Sequence, residues 1–257
     1  MGEALLKGWV DQDCLKHCIV VDPTPSPDNQ VHQDNIHFVK SQEGIEPDFT
    51  PDVIVFAIKP QVMEDILPAY QKFKSDSTVF LSIAAGKTVH ALGSYIGHDA
   101  KIIRAMPNTP AAIGQGTTVF YANDHVTDTE KSSVTHLLSA VGIVCNITDE
   151  SLMDAVTAVS GSGPAYVFLM IETLTKAAIN AGLPEELSTK IARQTIIGSA
   201  GLAADQSNIS AKQLRENVTS PGGTTAAALE ILMHDQALQS LFDKAIINAS
   251  QRSKELS

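Results

Sequence analysis

The chain has 257 residues, of which 44% are hydrophobic and 18% charged. That is enough apolar material for a sizeable core, and two compact domains are expected rather than a disordered or fibrous chain. No apolar run is continuous enough to cross a bilayer, and a net charge of −11, from 18 Lys and Arg against 29 Asp and Glu, repels phosphate backbones and anionic lipid, so neither nucleic acid nor a membrane is an expected partner.

Along the first half, short β-branched runs alternate with polar or helical stretches, the pattern of βα units rather than of a sandwich or a bundle. Strands are predicted over 18–21, 36–39, 53–58, 78–83, 102–105, 117–121 and 143–146. The runs Val53-Ile54-Val55-Phe56-Ala57-Ile58 and Val79-Phe80-Leu81-Ser82-Ile83 lack polar alternation. They read as central strands of a parallel sheet covered on both faces. Turn chemistry ends each of them, Lys59-Pro60 after the first and Ala84-Ala85-Gly86 after the second, and helical segments are predicted near 61–72 and 88–96. After about residue 150 the β-branched runs give way to Ala- and Leu-rich stretches with helical spacing. One helix is predicted over 162–181, ended by Gly182, and a second over about 184–205. Gly198 and Gly201 inside the second helix each cost on the order of 1 kcal/mol relative to alanine, a cost usually offset where another backbone packs closely. The reading is α/β: a doubly wound sheet over residues 1–149, then an all-α domain over 150–257.

Several segments could carry chemistry. In Thr219-Ser220-Pro221-Gly222-Gly223-Thr224-Thr225, consecutive glycines before a helix start can aim backbone N–H groups at a small anion such as a carboxylate, with hydroxyls adding donors. The same residues also read as a helix cap with turn glycines. Capping accounts equally well for Ser160-Gly161-Ser162-Gly163-Pro164-Ala165-Tyr166. Arg104-Ala105-Met106-Pro107-Asn108-Thr109-Pro110 leaves a strand with two prolines, which places Asn108 either where open α/β sheets collect ligands or in a rigid turn. Lys59, at a strand's carboxyl end, could meet a cofactor or solvent. Cys14 and Cys18 would share one face if they lay on a helix. The three cysteines, Cys145 included, form no disulfide framework, and no signal-peptide pattern opens the chain, so a reducing cytoplasm is expected. No His, Cys or carboxylate set has a metal-ligand spacing, and no metal is assigned.

Taken in order and spacing, Ala57-Ile58-Lys59-Pro60-Gln61, Ser82-Ile83-Ala84-Ala85-Gly86, the 104–110 segment, the 160–166 segment and the 219–225 segment resemble pyrroline-5-carboxylate reductase. The resemblance runs from Met1 to the final helix. It implies an NADP-type Rossmann domain followed by an all-α dimerisation domain, homo-oligomers (a dimer or a ring of dimers), and an active site built between subunits. The implied reaction is hydride transfer from NAD(P)H to the C=N bond of 1-pyrroline-5-carboxylate, giving L-proline, the last step of proline biosynthesis. By similarity, Ser220, Gly222, Gly223 and Thr224 hold the substrate carboxylate, and Thr225, the implied catalytic residue, reaches the ring nitrogen. Met1, Gly2, Ala57, Lys59, Pro60, Ala84, Gly86 and Asn108 are the implied cofactor contacts. Asp22 stands near the place where many NAD-binding Rossmann folds carry an acidic residue, but Thr24 and Ser26 follow and could hold a 2′-phosphate, so NADPH is favoured with NADH as the alternative.

The chain also departs from the family pattern. Met1-Gly2 look like the end of a Gly-x-Gly-Asn-Met-Gly loop, so the first strand and two glycines of a Rossmann domain are expected to be missing, as in a fragment or a start placed too late. A gap at that central position should leave the neighbouring ladders unpaired or force them together, and cofactor binding by such a chain should be impaired. Two other readings stand beside the reductase: a reductase of a related cyclic imino acid, and a non-catalytic oligomerising homologue whose phosphate-binding loop is lost.

Overall fold

The computed structural model describes residues 1–24 and 33–256. The chain forms two compact units, Met1–Gly161 with Ala249–Ser257 and Ser162–Asn248. The first contains α1 (Gly2–Asp11), β1 (Cys18–Val21), β2 (Ile36–Val39), β3 (Val53–Phe56), α2 (Met63–Ile66), β4 (Val79–Ser82), α3 (Val89–Ile96), β5 (Lys101–Met106), β6 (Gly116–Ala122), α4 (Asp128–Ser139), β7 (Gly142–Ile147) and α5 (Met153–Val156).

Seven strands lie within a residue or two of their predicted positions, but they make two sheets, β1-β2 and β3-β4-β5-β6-β7. Among the described residues no backbone ladder joins the two pieces. As expected for a gap in the sheet, β1 and β3 each keep one unpaired edge. The segment 53–58 was expected to be central, but its strand, Val53–Phe56, is the edge strand of the five-stranded sheet, since among the described residues nothing pairs on its far side. β4 is central as expected and buried throughout. Its side chains alternate between two cores: Val79 and Leu81 join Leu5, Trp9, Val134 and Leu138 on one face, while Phe80 joins Met63, Leu92 and Ile96 on the other. Each of these apolar side chains contributes roughly 1.5–3 kcal/mol by leaving water, which is why Val79, Phe80 and Leu81 run without polar alternation before the buried Ser82 that ends the strand.

β6 runs antiparallel to β5, whereas the other pairs are parallel. The connection over 107–115 is shorter than the dozen or so residues a parallel crossover requires. Gly142, at φ +143°, opens β7 beside Gly116, where a side chain would run into the neighbouring backbone. α4 is started by a capping box, with Thr127 Oγ1 accepting from Glu130 N and Glu130 accepting from Thr127 N.

Cys14 lies beyond the end of α1 and Cys18 begins β1, so the two thiols do not share a helix face. Burial pushes the Cys18 thiol up to about 11, whereas Cys145 is exposed on β7. Iodoacetamide at about pH 8 should therefore alkylate Cys145 well before Cys18 in the native chain, because the thiolate is the reactive form. Equal rates by peptide mass mapping would contradict that assignment.

Helical composition begins at residue 150, yet residues 150–161 belong to the first unit. Met153 and Ala158 are fully buried there, and Glu150 pairs with Arg104 of β5. The second unit contains α6 (Gly163–Asn180), α7 (Glu185–Asp205), α8 (Ala211–Asn217), α9 (Thr224–Met233) and the start of α10 (Ala237–Glu255), whose last turns return to the first unit. Among its described residues only Ser188 and Ala192 are buried, whereas Phe168, Leu169, Ile197, Ile231 and Leu241 are exposed. A side chain at Gly198 or Gly201 would meet nothing within 4 Å in this chain. No helix among the described residues is long and apolar enough to cross a membrane.

Candidate active site

In the first unit, β3, β4 and β5 are adjacent and parallel, with Phe56, Ser82 and Arg104 in register. Their carboxyl ends release 57–60, 83–86 and 107–108 at one edge of the sheet, the edge at which open α/β sheets bind ligands. Sequence-predicted Ala57, Lys59, Pro60, Ala84, Gly86 and Asn108 are thereby brought together. Gly2 joins them, since a Cβ there would lie 3.1 Å from that of Ala57. Met1 caps α1 without a side-chain bond, so the first amides of this helix are open to an anion. Lys59 and Ala57 are exposed, Ala84 is buried, and Gly86, at φ +76°, is buried beneath the Leu256 carbonyl. The exposed member of that loop is Ala85, which sequence reasoning did not single out. Thr24 lies just beyond β1, its N–H donating to Asp22 Oδ1 at 2.9 Å. It follows β1 of the two-stranded piece, and Ser26 lies outside the described residues.

Asn108 is held by protein on both sides of its carboxamide. Its Oδ1 accepts from Thr117 N at 2.8 Å, and its Nδ2 donates toward Ser160 O and Ser160 Oγ at 3.3 and 3.4 Å. Ser160 belongs to a π-helical turn, Thr157–Gly161. Behind this edge Arg104, with a side chain only 5% exposed, pairs with Glu150 at 3.0 Å, and the same carboxylate oxygen accepts from Val89 N at the start of α3. An anion at a helix N-terminus is favoured, so Glu150 ties β5, α3 and the 150–161 segment into one point. Next to it, the Ser151 hydroxyl and amide hold the Asp149 carboxyl below the usual range. Sequence reasoning missed Glu150. The signal was there in a lone arginine inside the apolar run Ile102-Ile103-Arg104-Ala105, which demands a buried partner.

In the second unit, the predicted turn lies between α8 and α9. Gly222 takes φ +70°, Gly223 N donates to Ser220 O at 3.0 Å, and Gly223 is the N-cap of α9 without a side-chain capping bond. A Cβ on Gly223 would collide with Ser220 Oγ, so only glycine lets the serine hydroxyl lie against this backbone. Thr224 and Thr225 are the first two residues of α9, and their amides have no intrahelical acceptor. Ser220 and Thr224 are exposed and Thr225 is half-buried. Ser220, Gly222, Gly223, Thr224 and Thr225 thus converge on a helix start that presents N–H groups and hydroxyls, the chemistry that binds a carboxylate.

Comparisons with known proteins bear on both units. Residues 150–256 match the family model described as pyrroline-5-carboxylate reductase dimerisation, and residues 1–86 match NADP oxidoreductase coenzyme F420-dependent. A pyrroline-5-carboxylate reductase of Haemophilus influenzae is 32% identical over 256 residues, covering 100% of this chain and 94% of the relative. The enzyme of Pseudomonas aeruginosa is 40% identical over 205 residues, 80% of this chain and 74% of the relative. The solved pyrroline-5-carboxylate reductase from Coxiella burnetii superposes with a TM-score of 0.89 at 31% identity, covering 100% of this chain and 94% of that one. A Plasmodium falciparum pyrroline carboxylate reductase, solved with NADP bound, gives 0.82 at 32% identity, covering 100% of this chain and 94% of that chain. With a Rossmann-type sheet in its first half and a dimerisation-type helical domain in its second, the chain belongs to the pyrroline-5-carboxylate reductase family, NAD(P)H-dependent oxidoreductases of the last step of proline biosynthesis.

Proposed function

We propose that this chain reduces the C=N bond of 1-pyrroline-5-carboxylate to L-proline, with Thr225 at the ring nitrogen and NADPH as the preferred reductant over NADH. The observation that carries the reading is the Gly222-Gly223 turn opening α9, where unpaired amides and three hydroxyl side chains suit a small carboxylate. Ser220 and Thr224 hold the acid on the turn that Gly222 and Gly223 shape. A cyclic imine is electrophilic once its nitrogen is protonated, so the protein needs to align and anchor rather than supply a strong base. The Thr225 hydroxyl accepts a hydrogen bond from the iminium N–H and keeps it as the C=N electron pair moves onto nitrogen. When bound, the dinucleotide supplies the hydride to the adjacent carbon.

The first unit fits that cofactor at the sheet edge. Ala57, Lys59, Pro60, Ala84, Gly86 and Asn108 line the nicotinamide half, Met1 and Gly2 present the open amides of α1 to phosphate, and Thr24 with Ser26 takes the 2′-phosphate. The exposed apolar side chains of the second unit support a homo-oligomer formed through the helical domain, as a dimer or a ring of dimers. Three unpaired cysteines suit a cytoplasmic enzyme.

The test is NADPH oxidation by the purified chain with five- and six-membered cyclic imino acids. Turnover of 1-pyrroline-5-carboxylate exceeding that of the six-membered analogue by about tenfold or more supports the reading, since a misfit ring displaces the reacting carbon. A reversed preference assigns the related cyclic imino acid instead. No oxidation with either leaves the non-catalytic homologue.

A further inference from the structure

We propose that Asn108 is a positioning residue for the reduction and acts through Ser160, whose hydroxyl it leaves as a hydrogen-bond donor for the carboxamide of the pyridine cofactor. The inference deepens the proposed reductase reading and rests on it. Both residues lie in the first unit.

An asparagine carboxamide has two N–H hydrogens. Here Nδ2 lies 3.3 Å from Ser160 O and 3.4 Å from Ser160 Oγ, while Oδ1 accepts from Thr117 N at 2.8 Å. The Asn108 carboxamide is thereby engaged with protein at both its nitrogen and its oxygen. Ser160 Oγ is an acceptor toward Asn108, so its own hydrogen is directed elsewhere, and no described side chain or carbonyl takes it. Distances of this length in a ligand-free catalytic arrangement shorten when the ligand arrives.

Two further contacts show that the exit of β5 grips this turn as a unit. Asn108 is extended, at φ −126° and ψ 168°, so residues 106 and 108 project to the same side of the strand exit. Met106 Cε fills the space beside Gly161 that a Cβ would need, and Asn108 takes the preceding residue. Thr157 Oγ1 donates to Met153 O at 2.8 Å and holds the other end. The turn between them is π-helical, a conformation that recurs at functional sites in place of a regular helical turn.

The experiment is a double-mutant cycle on the full chain. Asn108→Asp keeps the acceptor for Thr117 N and loses both donor hydrogens. Ser160→Ala loses the hydroxyl and keeps the carbonyl. Each should lower kcat/KM for NADPH by about threefold to tenfold, the range one net hydrogen bond is worth. The double variant should be no slower than the slower single one, KM for 1-pyrroline-5-carboxylate should not move, and Ser160→Thr should recover the wild-type value. Additive losses, or Ser160→Ala at the wild-type value, overturn the proposal. The Ser160→Ala arm stands alone if Asn108→Asp does not fold. A wild-type chain inactive on any cyclic imino acid overturns the functional reading instead. The same cycle is then read from NADPH dissociation constants by fluorescence titration, where additivity again overturns the coupling.

Discussion

Replacing Thr225 by alanine should lower kcat for 1-pyrroline-5-carboxylate by about tenfold to 150-fold, the equivalent of the 1.5–3 kcal/mol that a hydrogen bond to a charged group contributes. The charge in question is on the iminium nitrogen, and the bond, already made in the bound iminium, holds the ring in the orientation from which hydride is delivered, so the loss falls on kcat as well as on KM. Thr225 occupies the second position of α9 and is half-buried. Alanine has the higher helix propensity there, so the variant should keep its unfolding temperature. Thr225→Ser keeps the hydroxyl and should retain most of the rate. Steady-state kinetics of the two variants settle the matter: a Thr225→Ala chain turning over at the wild-type rate removes the hydroxyl from the mechanism.

Stability responds most strongly to Glu150. Glu150→Ala strands the Arg104 guanidinium, whose side chain is 5% exposed, and takes the acceptor from Val89 N. Breaking one side of a buried pair costs about 3–5 kcal/mol, which for a chain of this size lowers the unfolding midpoint by roughly 6–20 °C. Glu150→Gln, which keeps a neutral acceptor, should fall between. Removing both charges with Arg104→Met and Glu150→Ala should recover much of the loss, because an apolar replacement of a buried pair is often close to neutral. Calorimetry on the set decides it. A Glu150→Ala midpoint equal to that of the wild type would show that Arg104 finds another anion.

Much of the fold was legible because its strands are short apolar runs bounded by turn residues. Phe80 and Leu81 stand next to each other in sequence and enter opposite cores, and that two-sided burial is what removed polar alternation from 79–82. Local composition could not show that β6 is antiparallel, since the direction follows from the length of the link before it. Nor could it show that residues 150–161 pack with the sheet. They look helical, and only the burial of Met153 and Ala158 assigns them to the first unit. At the candidate site, the Gly222-Gly223 turn was legible as backbone chemistry because positive φ and a bare helix start leave a mark on residue choice. The Asn108 to Ser160 link was not, since its partners are 52 residues apart and each looks like a turn residue alone.

The divided sheet also bears on how the first unit holds together. β1 and β2 bond to each other, and among the described residues no rung reaches from them to β3. Their adhesion to the remainder is through side chains such as Val20 and Ile36, which share a core with Leu5 and Trp9. Such a leaf can peel away without severing any rung of the larger ladder, so its detachment lies below global denaturation in free energy and makes it a separate foldon.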